Sequence, residues 1–215
     1  MKTKIFIDFD GTIFDTDSFK ALIWSTLAKS GFSYSNIEKA YEIACSDYRY
    51  SPVKQLDLLS EMELGDRATA HYLLQRLYHQ AKDMIFEDAI QFLRAVDREK
   101  FGLYLLSMGD KDFQRVKIVS SSISHYFDNV YLTDEQKWLY LDELVGQSDP
   151  FIFIDDRGDS VQNVAKKFAN SLAIEINRIG QQSDPMEPTV EFGNIAISNF
   201  TQLGELIDRF EIHSK

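Results

Sequence analysis

Short apolar runs along this chain stop abruptly in polar residues. Ile5-Phe6-Ile7 leads into Asp8-Phe9-Asp10-Gly11-Thr12. Leu103-Tyr104-Leu105-Leu106 leads into Ser107-Met108-Gly109-Asp110, and Phe151-Ile152-Phe153-Ile154 into Asp155-Asp156. Such runs, rich in β-branched and aromatic residues, predict buried strands. Asn129-Val130-Tyr131-Leu132, residues 172–176 and Asn194-Ile195-Ala196-Ile197 predict three more. Between them, apolar residues recur at helical spacing: Ile90, Leu93 and Val96; Phe113, Val116 and Val119; residues 135–145; Val161, Val164, Ala165 and Phe168. Alternation of this kind predicts βαβ units in a doubly wound, mainly parallel α/β sheet. After a polar, proline-bearing loop at 183–188, Phe200, Leu203, Ile207 and Phe210 predict a closing helix.

From Asp15 to about Lys82 the pattern is helical only. Phe19, Leu22, Ile23 and Leu27 form one stripe, and Ile37, Ala40, Tyr41 and Ala44 a second, opened by the capping-box pattern Ser35-Asn36-Ile37-Glu38. Ser51-Pro52 reads as an N-cap with proline at the first helical position. Gly65 separates that helix from a fourth, carrying Ala70, Leu73, Leu74, Leu77, Tyr78 and Ala81. The organisation expected is an α/β core from residues 1–15 and 83–215, interrupted by a four-helix module at 16–82.

A chain of 215 residues suffices for such a core. Its net charge of −11 argues against a nucleic-acid polymer as partner, but leaves room for a small phosphorylated ligand. No apolar run reaches membrane-spanning length, and Asp8 comes too early for a signal peptide, so no membrane is expected as partner and the cytoplasm is the default location. Cys45, the only cysteine, excludes an intrachain disulfide and reads as packing; the four histidines show no ligand spacing. Oligomeric state is not legible.

In open α/β sheets, ligands bind at the carboxyl ends of the strands. Asp8 and Asp10 fall there together, on one side of the strand. Carboxylates so close repel each other unless a cation or proton intervenes, which points to a metal site, an acid/base pair, or both.

In these segments the chain resembles the haloacid dehalogenase-like hydrolases. That family carries DxDGT after the first strand, a Ser or Thr after the second, a Lys, and an acidic pair after a later strand. Here the matching positions are Asp8-Phe9-Asp10-Gly11-Thr12, Ser107, Lys137 and Asp155-Asp156. The placing of the helical module between the first two motifs is similar to that of the cap in the family's first structural class, where the cap shapes substrate choice.

The resemblance implies a phosphatase in which Asp8 is the nucleophile and Asp10 the general acid and base. Mg²⁺ would be held by Asp8, the Asp10 carbonyl and Asp156. Gly11 and Thr12 would shape the first loop and contribute to phosphate binding. Ser107 and the adjoining Met108 amide, with Lys137, would hold the phosphoryl oxygens. Asp155 would support the metal site; so would Asp159, although the family's usual acid there falls one position later, at Ser160. Lys117 is a weaker candidate than Lys137, because it precedes the third strand. Trp24, Arg49 and Tyr50 are candidates for substrate contact from the cap. A small phosphorylated metabolite is the expected partner. A phosphomutase, a 2-haloacid dehalogenase and a non-catalytic binding protein remain open.

Overall fold

A computed structural model describes residues 2–46, 49–146, 149–178, 189–191, 194–204 and 206–207. In chain order the elements are β1 (Thr3–Ile7), α1 (Thr16–Lys29), α2 (Tyr34–Cys45), α3 (Pro52–Met62), α4 (Arg67–Leu77), α5 (Glu87–Ala95), β2 (Phe101–Met108), α6 (Lys111–Ser120), β3 (Asn129–Thr133), α7 (Lys137–Leu144), β4 (Phe151–Asp155), α8 (Gly158–Lys167), β5 (Ser171–Ile176), β6 (Thr189–Glu191) and β7 (Asn194–Ile197). A 3-10 segment, Tyr78–Met84, joins α4 to α5.

The strands form one sheet in the order β3-β2-β1-β4-β5-β7-β6. Six run parallel and β6 pairs antiparallel with β7. β1 lies between β2 and β4, with Ile7 paired to Leu105 on one side and Ile154 on the other. That register sets Asp8 beside Asp155 and one position short of Ser107.

Strand alternation divides the core in two. Ile5, Ile7, Leu103, Leu105, Ile152 and Ile154 face one way and join the buried residues of α1–α6. Phe6, Leu106, Phe151 and Phe153 face the other way, under Leu141 of α7 and Val161 and Val164 of α8. Both faces are covered, so the parallel strands read as continuous apolar runs. The apolar interior of α1–α4 is continuous with the first layer: Phe19, Ile23, Leu27, Ile37, Leu56 and Leu74 belong to the same cluster as Ile5 and Phe9.

The four helices hang from a double crossing. The Phe86 N–H donates to the Ile13 carbonyl at 2.9 Å and the Asp15 N–H to the Met84 carbonyl at 2.8 Å, so the outgoing and returning chains are bonded to each other. Asp15 then caps α1, accepting from the Ser18 amide at 2.9 Å and its hydroxyl at 2.7 Å. Ser51 caps α3 with Pro52 at the first position, as the sequence predicts.

Three local expectations are corrected. The capping box at Ser35 is not formed: α2 begins at Tyr34, and the Ser33 amide and hydroxyl instead donate to Glu63. The stripe Phe113-Val116-Val119 is not the buried face of α6. Phe113, Gln114, Lys117 and Ile118 are buried, while Val119 is 65 % exposed, because the helix turns its polar residues toward the carboxyl end of β1. The segment expected as a closing helix starts as a 3-10 turn, Phe200–Gln202, and Phe210 lies outside the described residues, as does the loop at 183–188. Among the described residues no helix is long and apolar enough to cross a membrane.

Candidate functional site

The carboxyl ends of β1, β2 and β4 open into a cavity of about 540 Å³ whose wall includes Asp8, Asp10, Gly11, Met108, Lys137 and Asp156. The loop after β1 is fixed by tight local bonds. Gly11 adopts φ +72°, and a Cβ there would stand 2.2 Å from the Asp156 carboxylate oxygen Oδ2. Only glycine allows both that backbone and that approach. Arg178 holds the loop from behind. It donates from Nε and Nη2 to the Thr12 carbonyl at 3.1 and 2.7 Å, and from Nη1 to Asp88 at 2.9 and 2.8 Å.

Asp8, Asp155 and Asp156 each offer a carboxylate oxygen, all within 4.8 Å of one another. Lys137, at the first position of α7 and 5 % exposed, reaches in between. Its ammonium donates to Asp8 Oδ1 and, at 2.7 Å, to Asp155 Oδ2. Asp155 also accepts from the Ser160 hydroxyl at 3.1 Å and the Arg157 amide at 2.9 Å. One lysine among three carboxylates leaves two formal negative charges. Burial pushes the Asp8 carboxyl well above its usual range, and the Asp155 and Asp156 charges add to this against the pull of Lys137. Burial, then the charge of Asp155, pushes Asp156 up to about 7. Burial disfavours the Lys137 ammonium, but Asp155 and Asp8 outweigh it and raise its pKa.

Asp10 has a separate environment. Its Oδ1 accepts from the Lys117 ammonium and, at 3.0 Å, from the Thr16 hydroxyl; its Oδ2 accepts from Gln114 Nε2 at 2.6 Å. Burial alone would raise this carboxyl, but the charge of Lys117 and the three hydrogen bonds leave it lowered. Lys117 is 2 % exposed, and its Nζ lies 5.4 Å from the ring centres of Phe9 and Phe14 and 4.6 Å from that of Phe113. The amide of Gly11 donates to Thr16 Oγ1 at 3.0 Å, tying the loop to the start of α1.

The Ser107 hydroxyl is buried at the end of β2 with no hydrogen-bond partner, as is Thr12 Oγ1. Asp159 points outward and pairs with Arg157 at 2.8 Å, because the register of α8 gives the inward position to Ser160. Arg49 pairs with Asp134 at 3.1 Å, joining the helical insert to the loop before α7. Trp24 stacks edge-on against Tyr41 and is in the wall of neither cavity beside Asp10. Tyr50 lines a second cavity next to Asp10.

Gln114 and Thr16 are new to the site, and Lys117, the weaker candidate for the lysine beside Asp8, instead pairs with Asp10; one signal in the sequence points to them. Phe113, Gln114 and Lys117 share one face of the helix that follows Ser107, and Thr16 follows the Asp15 cap.

These donors suit a hard divalent cation: carboxylate oxygens only, close together, with an excess of two negative charges. Asp8, Asp155 and Asp156 would hold it. The Asp10 carboxylate, bound by its own lysine, is turned to other partners.

No curated protein matches the chain. Among solved structures, the fold is similar to a haloacid dehalogenase-like hydrolase from Burkholderia xenovorans LB400, with TM-score 0.75 and 16 % identity over 98 % of this chain and 99 % of that one. It is also similar to the magnesium-bound HAD-hydrolase YfnB of Bacillus subtilis (TM-score 0.63, 14 % identity, 96 % and 99 % covered). A third is the L-2-haloacid dehalogenase of Xanthobacter autotrophicus with chloropropionic acid covalently bound (0.61, 14 %, 97 % and 99 %). A haloacid dehalogenase-like hydrolase family model matches residues 4–155, which include Asp8 and Asp155, and the chain belongs to that family.

Proposed function

We propose that this hydrolase is a Mg²⁺-dependent phosphatase that cleaves a small phosphate monoester through an aspartyl-phosphate at Asp8. The observation that carries the reading is the charge arrangement. Three carboxylates stand around one lysine that bonds Asp8 and Asp155, two acidic groups in excess of the cation, while Asp10 is neutralised separately by Lys117. Two negative charges beside the attacking atom would repel a phosphate dianion or a haloacid carboxylate alike. A bound Mg²⁺ would cancel that repulsion and stabilise the charge that develops on the phosphoryl oxygens.

Lys137 engages Asp8 Oδ1, which leaves Oδ2 to attack phosphorus. The bond from phosphorus to the ester oxygen breaks, and its electron pair leaves with the alcohol, protonated from Asp10. Water then attacks phosphorus, gives its proton to Asp10 and frees Asp8. Both oxygens of Asp10 are occupied by donors, so at rest it is set as the base of the second step. To act as the acid of the first it must give up one of those donors for a proton. The unpartnered Ser107 hydroxyl stands ready for a phosphoryl oxygen. The helices at 16–82 act as a cap over this centre. The dehalogenase reading draws support from the fold shared with the Xanthobacter enzyme, but a metal-free dehalogenase has no use for the charge excess around Asp156. Phosphate release from p-nitrophenyl phosphate with and without Mg²⁺ tests the assignment: activity that survives full chelation rejects it.

A further inference from the structure

A second cavity, of about 150 Å³, lies between the helical insert and α6; Phe19, Ile23, Tyr41, Tyr50, Phe113 and Met108 form its apolar wall, and Lys20, Asp110, Gln114 and Lys117 are among the rest of its lining. It shares Asp10, Thr16 and Met108 with the larger cavity that contains Asp8 and Lys137. Asp10 is therefore in the wall common to both. In the proposed reaction Asp10 touches the oxygen where the ester is divided. The phosphoryl group belongs on the Asp8 side of that wall, so the leaving alcohol belongs in the second cavity. The rings there stand edge to face: Tyr41 on Tyr50 at 5.1 Å and Tyr50 on Phe113 at 5.6 Å between centres. The Tyr50 hydroxyl is committed to Gln55 at 2.8 Å, which fixes its ring. A cavity of about 150 Å³ accepts a molecule the size of benzene, and the aromatic part of this wall suits a flat ring.

We propose that the alcohol released by this enzyme carries one flat six-membered ring, seated between Tyr41 and Phe113, and that Tyr41 is a specificity-determining residue. This rests on the phosphatase reading. The test compares kcat/KM for benzyl phosphate and ethyl phosphate with saturating Mg²⁺, alongside p-nitrophenyl phosphate; benzyl and ethyl alcohol are leaving groups of similar basicity. Wild type should prefer benzyl phosphate by about 10–200-fold, the range an apolar pocket supplies. In Tyr41→Ala the preference should fall to within about threefold, and Tyr41→Phe should restore it. Equal turnover of both esters by wild type overturns the pocket assignment and leaves the phosphatase reading standing. So does a preference that persists in Tyr41→Ala. No phosphate released from any of the three esters rejects the phosphatase reading and this inference with it.

Discussion

Asp8 and Asp10 are two residues apart, and each is held by a buried lysine, yet the two settings differ in charge. Lys137 is shared between Asp8 and Asp155, with Asp156 alongside, so the centre remains negative. Lys117 serves Asp10 alone, enclosed by the rings of Phe9, Phe14 and Phe113, so that pair is balanced. The comparison shows how one short loop supports two kinds of carboxylate. The first is left short of positive charge, and in the proposed reaction a cation and a phosphoryl group would complete it. The second is already paired, and in the proposed reaction it would exchange protons by trading partners.

The difference can be broken at its strongest point first. Asp8→Asn replaces the proposed attacking oxygen while nearly preserving shape. Phosphate release should fall by more than about 10⁴-fold, with an unchanged melting curve. Near wild-type rates would place the nucleophile elsewhere.

Lys137→Met comes next. It leaves buried carboxylates without their cation, a change that typically costs about 3–5 kcal/mol. Turnover should drop by about 10²–10³-fold, as for a lost charge-stabilising donor. The two settings should then part in their response to metal. Mg²⁺ should raise the melting temperature of Lys137→Met more than that of wild type, because a bound cation stabilises the folded state and here also replaces the missing charge. The Mg²⁺ increment in Lys117→Met should equal that of wild type. Equal increments in all three proteins would remove the distinction.

Lys117→Met should have a smaller effect on rate, about 10-fold or more, within the span of acid/base contributions. Its signature is the pH profile. Lys117 holds the Asp10 carboxyl below its usual range, so removing it raises that pKa. The acidic limb of kcat, where Asp10 must be ionised to accept the proton of water, should move to higher pH. A limb that stays in place would take Asp10 out of the second step. The smallest effect belongs to Asp159, which faces outward to Arg157: Asp159→Ala should leave kcat/KM within about twofold, in keeping with a surface pair.

The sheet is legible in the sequence because its strands are buried on both faces and therefore appear as unbroken apolar runs ending in Asp8, Ser107 and Asp155. Lys137 is legible through a resemblance and its place just after β3, although nothing in its immediate neighbours marks it as buried. The pairing of Lys117 with Asp10 is hidden for a physical reason. A lysine on a helix ordinarily faces water, and the apolar stripe through Val116 and Val119 suggests that α6 is buried on another face. The aromatic enclosure that makes its burial possible is assembled from Phe9, Phe14 and Phe113, whose convergence no local pattern reveals. In the same way, Arg49 and Trp24 share the insert with Tyr50, but only the packing of the insert on α6 shows that Tyr50 and Tyr41 reach the neighbourhood of Asp10. The capping box at Ser35 misleads because Glu63, distant in sequence, takes the donors of Ser33.

The most direct test follows both possible products in one reaction series. The purified protein is given p-nitrophenyl phosphate or 2-chloropropionate, each with Mg²⁺ and after chelation, and phosphate and chloride are measured. The expected result is phosphate release that requires Mg²⁺ and is lost in Asp8→Asn, with no chloride above background. Chloride release that persists after chelation, with no phosphate released under either condition, would contradict the assignment of the acidic centre to a divalent cation and make the chain a dehalogenase.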